Sequence, residues 1–229
     1  MSFKEQYQQA EVNAMISASI GLCIDQAIQR KSKLTPLALS VPALSSLRIR
    51  HLMNLLGNIS YNYLEVGVHK SGLFCSTICG NPNLGAVTAI DSWESDETSE
   101  DKAEIQFDEN TAMLKPLNTK FSKIKSDAFS ADLSKVLGPI DLFLYDAGHS
   151  YEDQKNALIY YKPVLNDYVT YCCDDWTYER VKEGTMAGID EGGYEILHKW
   201  ELINETLGDG HLNEEWWRGY GVFLLKKKP

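Results

Sequence analysis

Two hydrophobic periods divide the chain. From Glu5 to Arg30 apolar residues recur at helical spacing (Val12, Met15, Ile16, Ile20, Cys23, Ile24, Ala27), and Lys31-Ser32-Lys33 marks the end of the run. After a loop punctuated by Pro36 and Pro42, Ser45 to Leu56 repeats the pattern with Leu47, Ile49, Leu52 and Leu55 inward, and Gly57-Asn58 stops it. From Tyr61 the texture changes. Short apolar runs read as buried strands at Tyr63–Val66, Ala86–Ile90, Phe121–Lys125, Ile140–Tyr145 and Tyr168–Cys173. Helices are expected between and after them, at Leu73–Cys79, Ser99–Leu114, Ala131–Leu137, Tyr151–Tyr161 and Glu179–Glu191. Trp200–Glu205 and Gly221–Leu225 read as a terminal pair of strands joined by a Trp-rich loop.

Strands alternating with helices predict an α/β fold with a doubly wound, mostly parallel sheet. Residues 1–58 then form an N-terminal helical extension, open to three readings: a lid, a homo-oligomeric contact, or two helices packed on the sheet. Residues 59–229 form the main domain, and 229 residues suffice for one sizeable core.

Composition narrows the function classes. With 22 Lys and Arg against 32 Asp and Glu, the formal charge is −10. A groove built to neutralise phosphates leaves a basic excess, so no nucleic-acid partner is expected, and no anionic membrane surface either. No run approaches the length of a membrane-spanning helix. Five cysteines, at 23, 75, 79, 172 and 173, include no C-x-x-C pair. They suit neither a disulfide framework nor a zinc site, and the expectation is a cytoplasmic protein.

In an open parallel sheet, ligands bind beyond the carboxyl ends of the strands. The segments there are Glu65-Val-Gly67-Val-His69-Lys-Ser71-Gly72, Asp91-Ser92-Trp93, Ser126-Asp127-Ala128, Asp146-Ala-Gly148-His149 and Asp174-Asp175-Trp176. Each strand therefore ends on a carboxylate. Five on one rim would repel one another, so the pattern calls for a ligand's hydroxyls and amines, a cationic ligand or a metal. A dinucleotide turn needs G-x-G-x-x-G, and His69 stands at the second glycine. A G-x-x-x-x-G-K-[ST] phosphate loop also fails, because Leu73-Phe74 follows Gly72.

These segments resemble the class I S-adenosylmethionine-dependent methyltransferases. Glu65-Val-Gly67-x-x-x-Ser71 is similar to their E-x-G-x-x-x-G motif, with Ser71 in place of the second glycine. The rear half, Asp146-Ala-Gly-His149-Ser-Tyr151-Glu152 and then Asp174-Asp175, resembles the small-molecule O-methyltransferase branch that includes macrolide-sugar and aminocoumarin-sugar enzymes. Pro42–Leu56, with Arg50-His51-Leu-Met-Asn-Leu, is similar to that branch too.

The resemblance implies a Rossmann-like, seven-stranded sheet with an antiparallel last strand. It implies cofactor contacts at Glu65, Gly67, Ser71, Asp91, Ser92, Trp93, Asp127, Ala128 and Asp146. Asp91 would hold the ribose hydroxyls, Asp127-Ala128 would meet the adenine, and Trp93 would stack on it or serve as a core aromatic. Asp146, Asp174 and Asp175 would hold Mg²⁺ or another divalent cation. The catalytic candidates are Asp146 and His149, the latter as general base or as a structural tie, with Gly148 where that branch carries a third Asp. The implied reaction is methyl transfer to a hydroxyl of a small sugar- or phenol-like acceptor. A nicotinamide oxidoreductase on the same sheet and a non-catalytic cofactor-binding module are the alternatives. The acceptor pocket is expected from the N-terminal helices, Trp176–Tyr178 and the loop Leu207–Tyr220.

Overall fold

The computed structural model describes residues 3–94, 102–204 and 215–228. Their strands form one seven-stranded sheet in the order β3-β2-β1-β4-β5-β7-β6. The first five are β1 (Asn62–Val66), β2 (Ala86–Asp91), β3 (Lys120–Lys125), β4 (Ile140–Tyr145) and β5 (Leu165–Cys173), all parallel to one another. Strand β7 (Tyr220–Lys227) runs antiparallel between β5 and β6 (Tyr194–Leu202). The chain thus adopts the Rossmann-like doubly wound sheet with an antiparallel last strand.

Alternation along each strand assigns its residues to two cores. Tyr63, Leu142, Leu144 and Cys172 face a cluster closed by α1 (Phe3–Ile28), α3 (Leu47–Ile59), α4 (Gly72–Ile78) and α5 (Ala103–Leu114). Leu64, Val66, Phe143, Tyr145 and Cys173 face a second cluster closed by α6 (Tyr151–Tyr161) and α7 (Glu179–Glu191). Both strand faces are apolar because both are covered. Helices α1 and α3 place Ile20, Ile24, Ile49, Leu52 and Leu56 in the same core as the sheet. The outer side of α1 leaves Val12, Met15 and Leu22 exposed. No helix among the described residues is long and apolar enough to cross a membrane. All five cysteines are buried free thiols.

Three elements differ from the sequence reading. Thr35-Pro36 opens a short helix, α2 (Pro36–Ser40), where a loop was expected: the Thr35 hydroxyl accepts from Ala38 N at 3.1 Å, and Pro36 takes the first helical turn. The helix expected at Ala131–Leu137 is a single 3₁₀ turn, Leu133–Lys135, held by the Asp132 carboxylate on Ser134 N. Strand β6 begins at Tyr194 rather than Trp200; it is a half-exposed edge strand with an irregularity between Ile196 and His198. The start of the Ser99–Leu114 segment and the end of the Trp200–Glu205 segment lie outside the described residues.

Buried polar side chains fasten the N-terminal helices to the sheet layer. Asn54 on α3 donates to Ser76 O and Cys79 O, both at 2.8 Å, and accepts from Lys33 N at 2.8 Å. Asn54→Ala strips two buried carbonyls of their donor, so it should cost about 2 kcal/mol of unfolding free energy. Urea denaturation followed by circular dichroism measures this, and an unchanged midpoint would mean that the α3–α4 seam is held by apolar packing alone.

Candidate functional site

Strand register lays the site along one rim. Val66 is paired with both Ile90 and Tyr145, and Tyr145 with Cys173, so the residues that follow these strands emerge side by side. The ladder continues past the strand ends: Gly67 N donates to Ile90 O at 2.9 Å, Asp146 N to Val66 O at 2.8 Å, and Ser126 N to Asp91 O at 2.9 Å. Strand β1 lies between β2 and β4, so its outgoing turn opens the crevice where the winding reverses. Gly67, at φ +94°, passes so close to the Asp146 carbonyl that any Cβ would collide with it.

Asp91 shapes that turn. Its two carboxylate oxygens accept from His69 N and Trp93 N, each at 2.8 Å. Trp93 has left-handed backbone (φ +50°), and its indole N–H donates to His69 O at 2.9 Å. Its ring is buried against Phe107, 5.3 Å between centroids, beneath the Lys123 ammonium. Trp93 therefore braces the turn from the core side, the core-aromatic alternative of the two readings, and is not among the residues lining the two cavities of this rim. Ser71 sits just beyond that turn. It is fully buried at the start of α4 (φ +74°), its hydroxyl donates to Lys70 O, and it faces neither cavity.

Two cavities meet at Gly67, His69 and Asp146. The larger, about 290 Å³, brings together Asp91, Ser92, Asp127, Ala128 and Asp146. It also contains Phe129 and Tyr145, which sequence reasoning missed; their rings stack at 6.1 Å and 22°. The signal was local: Phe129 N closes a turn on Asp127 Oδ1 at 2.9 Å, which places an aromatic two residues beyond the acidic one.

The smaller cavity, about 190 Å³, is lined by Glu65, Asp146, His149, Asp174 and Asp175, with Ser45 and Arg218 on other walls. His149 Nε2 lies 3.5 Å from Asp146 Oδ1 and 3.6 Å from Asp175 Oδ2, and Arg218 Nη1 lies 3.6 Å from that same Asp175 oxygen. These are charge contacts, too long to be good hydrogen bonds. Asp175 and Arg218 both have left-handed backbone (φ +55° and +54°).

Burial dominates the titration of this wall. It drives Asp174 well above the usual carboxylate range, and the charges of Asp146 and Asp175 add to the shift. It raises Asp146 as well, against the pull of His149. Glu65, wholly buried and hydrogen-bonded by Tyr63 Oη, is also pushed well up by burial. His149 is raised by its contact with Asp146, against its own desolvation.

Eight buried polar side-chain atoms among the described residues lack a hydrogen-bond partner, and three of them line this one cavity: Ser45 Oγ, His149 Nε2 and Asp174 Oδ1. Buried polar atoms are normally satisfied, so this cavity presents three groups suited to water or to a ligand. No set of three or more His, Cys, Asp or Glu side chains among the described residues stands in metal-holding arrangement. His149 Nε2 stands near both Asp146 and Asp175, at 3.5 and 3.6 Å. The donor chemistry itself suits a hard divalent cation: three carboxylates, one with an unpartnered oxygen. Of the expected acceptor loop, Trp217 and Arg218 line this cavity, their side chains stacked at 4.6 Å; His211 lies outside the described residues.

Residues 64–176 match the family model described as a methyltransferase domain. No curated protein matches the chain. Among solved structures, a Staphylococcus aureus protein assigned as a caffeoyl-CoA O-methyltransferase aligns over 97% of this chain and 99% of its own, with a TM-score of 0.57 at 15% identity. A Klebsiella pneumoniae protein assigned as an O-methyltransferase aligns over 89% and 90%, with a TM-score of 0.54 at 12% identity. SMU.776, assigned as a methyltransferase and solved with SAH, aligns over 81% of this chain and 50% of its own, with a TM-score of 0.52 at 14% identity. At these identities the likeness is one of fold.

The His149–Asp146 contact is directly measurable. In metal-free protein His149 should titrate above the ordinary 6.5, and Asp146→Asn should bring its midpoint down. Because the folded value is raised, this contact stabilises the fold below the unfolded value and stops doing so as pH rises through the folded one. Histidine NMR titration of both proteins checks this, and an unmoved midpoint would disconnect the imidazole from Asp146.

Proposed function

We propose that this chain, whose residues 64–176 match the methyltransferase-domain family model, is a class I S-adenosylmethionine-dependent enzyme that transfers the methyl group to a hydroxyl of a small sugar- or phenol-like acceptor. One observation carries the reading. A cavity lined by Asp91, Asp127, Ala128 and Phe129 meets, at Gly67 and Asp146, a second cavity lined by carboxylates and an imidazole. A ligand spanning the junction places its sulfonium where the two cavities join.

In this reading each Asp91 oxygen, already holding a backbone N–H, keeps a lone pair for a ribose hydroxyl. Asp127 and Ala128 meet the adenine edge, and Phe129 flanks its face. Glu65 and the unpartnered Ser45 hydroxyl receive the cofactor's amino-acid end. The acceptor enters from the side of Asp174, Asp175 and Trp217.

The acceptor oxygen attacks the methyl carbon in line as the carbon–sulfur bond breaks, which demands close alignment of the two bound molecules. His149 Nε2 takes the hydroxyl proton, and Asp146 at 3.5 Å favours the imidazolium so formed. A divalent cation held by Asp146, Asp174 and Asp175 would lower the pKa of the hydroxyl and orient it. Gly148 stands where the related pattern has a third Asp. A Cβ at Gly148 would collide with the Asp153 carboxylate, which is engaged with Ser150 in the cap of α6. Proton removal therefore rests on His149.

Calorimetry with S-adenosylhomocysteine tests the cofactor half. The wild type should bind, and Asp91→Asn should weaken binding about tenfold, the worth of a charge-assisted hydrogen bond. Asp174→Asn should keep that affinity and lose methyl transfer to a panel of catechols and vicinal sugar diols, and a chelator should slow the same transfer. Failure of the wild type to bind would sink the reading. Transfer that ignores the chelator would remove the cation from it, and a cofactor-binding protein inert on every acceptor would favour a non-catalytic module.

A further inference from the structure

Arg50 is an arginine buried in the wrong company for an ion pair. It projects from α3 and is only 5% exposed, and no carboxylate among the described residues lies within ion-pair distance of it. Burial pulls its pKa down from the ordinary arginine value. An ion buried without a countercharge costs several kcal/mol, so its hydrogen bonds must do something that an apolar residue would not.

Those bonds run in two directions. Nη2 donates to Ala38 O at 2.6 Å and Nη1 to Leu39 O at 3.2 Å, which secures the last turn of α2. Nε donates to Ser76 Oγ at 2.8 Å, and that hydroxyl donates to Gly72 O at 2.7 Å at the start of α4. One guanidinium therefore joins the end of α2 to the helix that follows the cofactor turn.

Between α2 and α3 runs a strap, Val41–Ser46, and its residues Pro42, Ala43, Leu44 and Ser45 wall the smaller cavity. The strap lies directly on Gly72: a Cβ there would collide with Pro42 O and Ala43. The strap carries Ser45, whose buried hydroxyl has no partner and sits on the same cavity wall as Glu65. Its approach is set from one end by Arg50, and the missing side chain at Gly72 permits it.

We propose that Arg50 is a positioning residue for the cofactor. By tying α2 to α4 it holds the strap, and with it Ser45, against the amino-acid end of bound S-adenosylmethionine. This rests on the function proposed above and extends it to a residue that touches no ligand. Lysine cannot replace it fully, because a single ammonium lacks the planar fork that reaches two carbonyls and a hydroxyl at once.

Two ligands separate positioning from folding. S-adenosylhomocysteine has the amino-acid end, and 5′-methylthioadenosine lacks it while keeping the nucleoside. In Arg50→Met, affinity for the first should fall about tenfold, the scale of one lost hydrogen bond to a charged group, and affinity for the second should stay within about twofold. Arg50→Lys should lie between wild type and Arg50→Met for S-adenosylhomocysteine and match wild type for 5′-methylthioadenosine. If Arg50→Met does not fold, the Arg50→Lys pair of measurements decides. Parallel weakening of both ligands would make Arg50 merely structural, and unchanged S-adenosylhomocysteine binding would likewise overturn the proposal. A wild type that binds neither ligand would instead overturn the cofactor reading beneath it.

Discussion

Carboxylates crowd one rim of this sheet, and most of the local structure is arranged around keeping them there. Parallel strands in register deliver Asp91, Asp146 and Asp174 side by side, at the edge where the sheet opens. Two strategies hold them. Asp91 is satisfied by backbone, with two N–H groups folded onto its oxygens, and this fixes the turn after β1. Asp146, Asp174 and Asp175 are not satisfied that way; His149 and Arg218 stand near them at long range, and one Asp174 oxygen has nothing. The first carboxylate is structural as well as available. The others hold unspent electrostatic potential, which a cationic ligand can use.

The backbone shows where that arrangement is strained. Among the described residues, seven other than glycine have left-handed backbone, and His69, Ser71, Trp93, Asp175 and Arg218 all lie at or beside the two cavities. Such conformations cost about 1 kcal/mol or more each and persist only where the surroundings enforce them. Here the enforcement is visible: Asp91 holds His69 and Trp93, while Arg218 O accepts from Thr177 N at 2.9 Å and from Thr177 Oγ1 at 2.8 Å.

How far the sequence revealed this depended on what kind of signal each residue carried. The strands were legible because Ala86–Ile90 and Ile140–Tyr145 are apolar runs with a carboxylate directly after them, and parallel register brings such endings together. The parallel sheet and the acidic rim followed. Trp93 and Ser71 were expected at the cofactor by motif position, yet a motif position carries no φ angle; both have left-handed backbone and buried side chains outside the linings of the two cavities. Ser45, Arg50 and Phe129 escaped for a different reason. Their roles come from where a loop is pinned, by Arg50 on Ala38 O or by Asp127 on Phe129 N, and periodicity does not see such contacts. The short helix α2 was readable in hindsight from Thr35-Pro36, a cap followed by proline at the first helical position.

The place of β7 has a consequence for how the molecule is made. It is synthesised after β6 but lies between β6 and β5, pairing with both. Until residues 220–227 have left the ribosome, β5 presents an open edge of unpaired backbone and β6 has no neighbour at all. An unpaired strand edge is a template for association with other chains. During that interval the nascent protein is most exposed to chaperones and to its own copies, and a net charge of −10 opposes association between those copies.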